Sequence, residues 1–331
     1  MSRIAVIGAG AWGTALTVSL ARRGGHQISL WAHSPLHAAE LTETGENKRY
    51  LPGFIVPLDV RITARLDHAV EDADIVLCVT PSQALRSIME QIGPLLTPDQ
   101  VLLSASKGIE EKSFYRMSQV MKDYAVDNPV GTLGGPSFAQ EVAAAMPTAI
   151  TIAVDDPLLG KAMQDAFTSP SLRVYRNEDV AGTELGGALK NVIALAAGVV
   201  TGLELGQNAA AALITRGIVE MTRLAVACGG RRDTMSGLSG IGDLVLTCTG
   251  GLSRNRTVGV ELGRGRKLDE IIAGLNGKVA EGVRTTTAAL GLAARYGVEM
   301  PITEQMALIL DKDKSPRDAI RELMSRPGRT E

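Results

Sequence analysis

The chain has 331 residues, with 34 Lys plus Arg against 36 Asp plus Glu and a net charge of −2. No excess charge therefore points to nucleic acid or an anionic membrane as partner, and any anionic ligand has to be held locally. At roughly 150 residues per domain the length favours two domains with full hydrophobic cores, which excludes disorder as the main state. Apolar residues make up 45% but aromatic ones only 3%, so the core is expected from Ala, Val, Leu and Ile, a composition that suits helices and buried parallel strands. Cys78, Cys228 and Cys248 are odd in number and widely separated, with no CxxC or His/Cys cluster. They read as reduced core residues of a cytosolic protein, and no metal site is expected.

A β-pattern begins at Arg3 without a signal-like apolar region before it, which argues against secretion. Short β-branched runs follow at 4–7, 28–31, 75–79, 101–105, 149–154 and 172–175, with helical patterns at 12–23, 82–92, 114–124 and 157–168. Strands alternating with helices predict an α/β fold, a mostly parallel sheet with helices on both faces. Residues 47–57, carrying Pro52, Gly53 and Pro57, read as a loop. After about Asp179 the strand signals stop and helical periodicity takes over, at 184–203, 209–227, 285–295, 302–310 and 316–324. The longest apolar tract, 192–203, falls short of the roughly 20 residues that span a bilayer and is flanked by Lys190 and Glu204, so it reads as a buried helix rather than a membrane span. The expected organisation is an α/β domain over 1–178 and an all-helical domain over 179–331. No internal repeat is evident, and the basic tail 325–331 reads as frayed.

Directly after the first predicted strand stands Gly8-Ala9-Gly10-Ala11-Trp12-Gly13, the GxGxxG spacing opening straight into a helix. In that context the glycines have separate tasks: Gly8 permits the tight turn, Gly10 lets a pyrophosphate approach the backbone, and Gly13 lets the helix pack closely. The helix N-terminus adds unpaired N–H groups and the positive end of its dipole. NAD-selective sites usually carry an acid about 20 residues on, at the end of the second strand. Here that stretch is Leu30-Trp31-Ala32-His33-Ser34. Nothing in it repels a 2'-phosphate, and His33 and Ser34 can donate to one, so NADPH is expected to be accepted; a solvated loop histidine is the plainer alternative for His33.

Substrates of open α/β folds bind beyond the carboxyl ends of strands, which directs attention to three stretches. Thr80-Pro81-Ser82 is either a floor for a nicotinamide or a helix start with Ser82 near its cap. Ser106-Lys107-Gly108 puts a lysine at a strand mouth, for a substrate phosphate, for the nicotinamide side or simply for solvent. Gly134-Gly135-Pro136-Ser137-Phe138-Ala139 exposes backbone N–H groups and the Ser137 hydroxyl, or is a capped turn. In the second half, Lys190 lies in an apolar helix among the small residues Gly186, Gly187 and Ala194, open to close approach by a ligand, though a lysine there can also snorkel to solvent. Further on, Gly240-Ile241-Gly242-Asp243-Leu244 and Gly250-Gly251-Leu252-Ser253-Arg254-Asn255 bring an acid, a hydroxyl, a guanidinium and an amide into one span. Arg254 suits bidentate phosphate recognition, with a surface turn and helix cap before 257–262 as the alternative.

Together GAGAWGTAL at Gly8, SKG at Ser106, GGPSFAQE at Gly134, LKN at Leu189, GIGDL at Gly240 and RN at Arg254 resemble the bacterial NAD(P)-dependent glycerol-3-phosphate dehydrogenase family, from about residue 3 to 311. The resemblance implies a Rossmann domain followed by an all-helical domain, with the active site between them. It implies NADPH/NADP or NADH/NAD as cofactor, and reversible reduction of dihydroxyacetone phosphate to sn-glycerol 3-phosphate, a phospholipid precursor. By position Lys190 matches the catalytic lysine. Lys107, Gly135, Ser137, Lys190, Asp243, Ser253, Arg254 and Asn255 match substrate contacts. Ala11, Trp12, His33, Lys107, Ala139, Arg254, Val279 and Glu281 match cofactor contacts, beside Gly8, Gly10 and Gly13. Ala11 departs from the serine of many members, which removes one hydroxyl contact but keeps the backbone N–H.

Hydride delivery to the substrate C2 carbonyl creates an alkoxide that must be protonated, which is the task expected of Lys190. Arg254, Ser253 and Asn255 are expected to fix the phosphate and so orient C2. Two rivals remain at this stage: a β-hydroxyacid dehydrogenase of the same build, which binds a carboxylate instead, and a non-catalytic dinucleotide sensor. The apolar helical domain is also compatible with a homodimer.

Overall fold

In the computed structural model, which describes residues 1–275 and 280–328, the alternating runs build one eight-stranded sheet. Its strands are β1 (Ser2–Ile7), β2 (His26–Trp31), β3 (Arg61–Thr63), β4 (Ile75–Cys78), β5 (Val101–Ser104), β6 (Val130–Gly134), β7 (Thr148–Val154) and β8 (Leu172–Asn177). The order is β3-β2-β1-β4-β5-β6-β7-β8. Every neighbouring pair is parallel except β6 with β7. Helices α1 (Ala11–Arg23), α2 (Pro35–Thr44), α3 (Leu66–Val70), α4 (Leu85–Ile92), α5 (Met117–Lys122), α6 (Ala139–Ala143) and α7 (Pro157–Phe167) connect them.

Both faces of the sheet are covered, as the near-continuous apolar strands require. Ile4 and Val6 of β1 join Leu16, Leu30, Leu77 and Leu103 in one core cluster, whereas Ala5 and Ile7 point the other way, toward Val76, Leu85, Met89 and Leu102. The chain moves outward from β1 through β2 and β3, then returns to β4 on β1's other side. That reversal opens a crevice at the carboxyl ends of β1 and β4, the usual ligand position in such sheets.

Beyond the sheet come α8 (Val180–Gly202), α9 (Gly206–Ala227), α10 (Arg232–Met235), α11 (Asp243–Thr249), α12 (Arg254–Gly263), α13 (Leu268–Ala273), α14 (Glu281–Tyr296), α15 (Pro301–Asp311) and α16 (Pro316–Met324). Among the described residues this half contains no strand. Met1–Lys107 with Tyr115–Glu184 forms one compact unit, and Gly108–Phe114 with Leu185–Glu331 a second. The second core centres on α8, where Leu185, Ala188, Leu189, Val192 and Leu195 are buried with Met221, Leu244 and Val258.

The expected fold class is what the structure shows, with local differences: the short helices α3, α6, α10, α11 and α13 are not among the elements expected from sequence, and four further points stand out. β3 and β6 are strands where none is evident in the sequence, and β6 against β7 breaks the parallel pattern. α2 also lacks a clear sequence signal, although Ser34 caps it and Pro35 opens it. The helix expected over 114–124 spans only Met117–Lys122: Phe114 adopts a left-handed φ of 61°, and Arg116 is an extended N-cap. Finally, α8 is longer than the apolar tract read from sequence: at 23 residues it has the length and hydropathy to cross a membrane, yet 89% of its most apolar window is buried inside the protein, as in the core helix of a soluble fold.

Candidate active site

The glycine-rich turn links β1 to α1, and each glycine meets a different constraint. Gly8 has φ 128°, and a Cβ there would come within 2.6 Å of the Val79 carbonyl oxygen just past β4. A Cβ on Gly13 would lie 1.8 Å from the Gly8 carbonyl oxygen, so α1 can seat on the turn only without a side chain. Gly10 differs: its φ of −77° is ordinary, and a Cβ would meet no atom within 4 Å. The protein itself does not need glycine there, whereas a ligand lying on the first turn of α1 would. Gly10 also supplies no side chain to cap that helix, which leaves the first-turn N–H groups of Ala11, Trp12 and Gly13 for an anion. Trp12 Nε1 and Thr80 Oγ1 are buried without a hydrogen-bond partner, near the ends of β1 and β4. These features fit a bound dinucleotide pyrophosphate.

At the end of β2, His33 is exposed and lies edge-on to the Trp31 ring, with centroids 5.7 Å apart. Ser34 serves as the N-cap of α2, accepting from His37 N at 3.4 Å, so its O–H remains available to donate. Nearby, Ser106 Oγ donates to the Thr80 carbonyl at 2.6 Å. Lys107 and Ser137 converge on one acceptor, the Gly135 carbonyl, with Lys107 Nζ at 3.2 Å and Ser137 Oγ at 3.0 Å. Gly135 has φ 105°, and a Cβ would press within 3.2 Å of Ile150 Cα on β7, so only glycine fits this turn. Ala139, the first residue of α6, is half-buried.

In the second unit Lys190 and Asp243 form a buried ion pair, with side-chain exposures of 8% and 0%. Asp243 opens α11 immediately after a π-helical turn over 238–242. Thr247, one turn later, donates to the Asp243 carbonyl at 2.6 Å and lies 3.5 Å from its carboxylate. Lys190 does not snorkel; it sits 6% exposed with its charge met by an acid 53 residues away. The small residue Gly186 has a different reason from the one expected. A Cβ there would lie 2.2 Å from the Ser239 carbonyl oxygen, so it admits the π-turn backbone against α8 rather than a ligand.

Ser253 is buried and caps α12, accepting from Arg256 N at 3.2 Å. Asn255, on the first turn of α12, donates from Nδ2 to Asn191 Oδ1 at 2.9 Å and accepts from Gly282 N at 2.9 Å. An amide has two N–H donors, so one remains for a ligand. Gly282 is confined as well, since a Cβ would lie 2.6 Å from the Asn191 carbonyl oxygen. Asn191, Thr247 and Gly282 are the positioning residues the sequence reading passed over; only Asn191 carried a signal, as the neighbour of Lys190. Arg254 is exposed as a whole residue, yet partial burial of its guanidinium pushes it below its ordinary value, with the Glu281 carboxylate opposing that fall. Glu281 is the first residue of α14. Val279 lies outside the described residues.

None of the three cysteines is in a disulfide, and burial pushes the Cys78 and Cys248 thiols up to about 12, far from a reactive thiolate. Among the described residues no group of three or more His, Cys, Asp or Glu could hold a metal ion.

Comparison with known proteins agrees over the whole chain. The family model for the NAD-dependent glycerol-3-phosphate dehydrogenase N-terminus matches residues 3–159, and that for the C-terminus matches 179–321. A glycerol-3-phosphate dehydrogenase [NAD(P)+] of Acidobacterium capsulatum is 59% identical over 338 residues, covering 100% of both chains. One from Koribacter versatilis is 56% identical, covering 100% of this chain and 99% of its own. A crystal structure of glycerol-3-phosphate dehydrogenase from Coxiella burnetii superposes with a TM-score of 0.94 at 38% identity, covering 98% of this chain and 99% of that one. The chain belongs to the NAD(P)-dependent glycerol-3-phosphate dehydrogenase family.

Proposed function

We propose that Lys190, held by Asp243, is the proton-transfer residue in the reversible reduction of dihydroxyacetone phosphate to sn-glycerol 3-phosphate. The observation that carries this is the buried Lys190–Asp243 pair. Burying two charges costs several kcal/mol per ion before their attraction is counted, so a pair retained in an apolar helix core points to chemistry rather than stability. A bound nicotinamide supplies the hydride; Lys190 Nζ polarises the C2 carbonyl and donates the proton that the developing alkoxide takes up. Asp243 fixes the ammonium in place and takes part in holding substrate.

Phosphate recognition falls to Arg254, with Ser253 and Asn255 on the same first turn of α12, while Lys107, Gly135 and Ser137 form the remaining substrate contacts. Gly8, Gly10, Ala11, Trp12, Gly13, His33, Lys107, Ala139, Arg254, Val279 and Glu281 would hold the cofactor. In this account residues 1–178 bind the dinucleotide, and 179–331 supply the catalytic lysine and phosphate site. The buried α8 fits a cytoplasmic enzyme that acts on a small phosphorylated substrate, and the proposal includes a homodimer.

The test is oxidation of NADPH and of NADH by the purified protein with dihydroxyacetone phosphate, with unphosphorylated dihydroxyacetone and a panel of β-ketoacids as controls. Rapid, phosphate-dependent turnover is expected. Turnover of the ketoacids instead would identify the carboxylate-binding rival, and cofactor binding with no turnover would identify a sensor.

A further inference from the structure

We propose that Arg49 reads the adenosine 2'-phosphate and makes NADPH the preferred cofactor; this rests on the dehydrogenase reading above. The loop after α2 is tied to the dinucleotide turn by one buried side chain. Asn47, 1% exposed, donates from Nδ2 to the Ala9 carbonyl at 2.9 Å and to Thr14 Oγ1 at 2.7 Å. Its Oδ1 accepts from Tyr50 N at 3.2 Å and lies 3.2 Å from His37 Nε2. Asn47 thus joins the glycine-rich turn, the first turn of α2 and the segment carrying Arg49.

Two ring contacts then fix where Arg49 stands. The His37 and Tyr50 rings meet edge to face with centroids 5.5 Å apart, and the Arg49 guanidinium lies over the Tyr50 ring at 5.1 Å. His37 is one turn from Ser34 and His33, at the end of β2, where an adenosine ribose rests when a dinucleotide occupies the crevice. An exposed guanidinium stacked on a ring has lost part of its rotamer freedom and still presents its N–H edge. Arg49 makes no ion pair among the described residues; no acid lies between His26 and Ala39 at the end of β2, and Glu46, the acid nearest Arg49 in sequence, accepts from Gly53 N at 2.7 Å. A dianionic 2'-phosphate beside His33 and Ser34 would meet a pre-placed cation, whereas the 2'-hydroxyl of NADH gains little from the same group.

The experiment titrates nicotinamide fluorescence with NADPH and with NADH for the unaltered protein, Arg49→Ala, Arg49→Lys and Arg49→Glu, with adenosine 2',5'-bisphosphate and ADP as competitors. Loss of one charge-assisted contact should weaken NADPH and the 2',5'-bisphosphate by about tenfold or more in Arg49→Ala, while NADH and ADP change less than about twofold. Arg49→Lys should recover part of the loss, and Arg49→Glu should bind NADH more tightly than NADPH. Equal affinities for NADPH in the unaltered and Arg49→Ala proteins, or equal losses for both dinucleotides, overturn the proposal. As a check that needs no variant, raising the ionic strength should weaken NADPH binding more steeply than NADH binding; parallel slopes also overturn it. Turnover of dihydroxyacetone phosphate by the unaltered protein is scored separately. Discrimination through Arg49 without turnover condemns the dehydrogenase reading, and turnover with no role for Arg49 condemns this inference alone.

Discussion

The two units build their chemistry in opposite ways. In the first, the groups that fit a pyrophosphate are mainly backbone: N–H donors on the first turn of α1, beside glycines held by clearances of 1.8 and 2.6 Å to neighbouring carbonyls. The neighbours responsible are themselves backbone: the Gly8 carbonyl, five residues before Gly13, and the Val79 carbonyl just past β4, 71 residues after Gly8. In the second, the groups are side chains that hold one another across the fold. Lys190 meets Asp243 over 53 residues and Asn191 meets Asn255 over 64, while Gly282 clasps Asn255 over 27. A site made of backbone tolerates side-chain change wherever no clash follows. A site made of paired side chains depends on each member.

The sharpest way to break that contrast is Asp243→Asn. Removing the carboxylate leaves the Lys190 ammonium in its buried place, which should cost about 3–5 kcal/mol of stability by denaturant titration and depress kcat as well. A stability change within error would show that the pair is not the constraint described. Gly13→Ala should cost about 1–3 kcal/mol, because a Cβ 1.8 Å from the Gly8 oxygen forces α1 off its seat.

Gly10→Ala sharpens the comparison, since the same substitution three residues away meets no atom. Stability should hold or rise by up to about 1 kcal/mol, while NADPH binding weakens by about tenfold or more, as measured by fluorescence titration. Equal stability losses for Gly10→Ala and Gly13→Ala would erase the distinction between a packing glycine and a ligand glycine.

The smallest effect concerns Glu220, which is 2% exposed and accepts from Ile302 N, Thr303 N and Thr303 Oγ1 at the start of α15. Burial raises its carboxyl above the ordinary value of 4.5, with those three donors opposing. Folding therefore favours the protonated form. Its contribution is fully present below 4.5 and is lost as pH rises through the higher folded value. The stability of the unaltered protein relative to Glu220→Gln should accordingly shrink as pH rises from 4.5; a difference that grows with pH would reverse the assignment.

The same contrast governs what could be read from sequence. The strand, glycine turn and helix at residues 4–23 are legible because the β-branched run, the glycine spacing and the helical pattern follow one another without a break, even though Gly8 is confined by the distant Val79 carbonyl. β6 is not, because its Gly131 is dictated by a distant neighbour: a Cβ would lie 2.2 Å from Val154 Cγ1 on β7, and glycine erases the β-branched signal. β3, at three residues on the sheet edge and paired only with β2, is too short to show alternation. In the second unit Lys190 stands out as a charge in an apolar helix, but its partner cannot be found without the fold. Gly186 was credited with room for a ligand when its room goes to the Ser239 backbone, and the Ser253 hydroxyl proves to accept from Arg256 N as a helix cap.

The measurement that bears most directly on Lys190 as proton donor is steady-state reduction of dihydroxyacetone phosphate by Lys190→Ala, with NADPH affinity titrated on the same preparation. A fall in kcat of about 10²–10⁴-fold with NADPH affinity unchanged is the predicted result. A folded variant that turns over at close to the normal rate would contradict it.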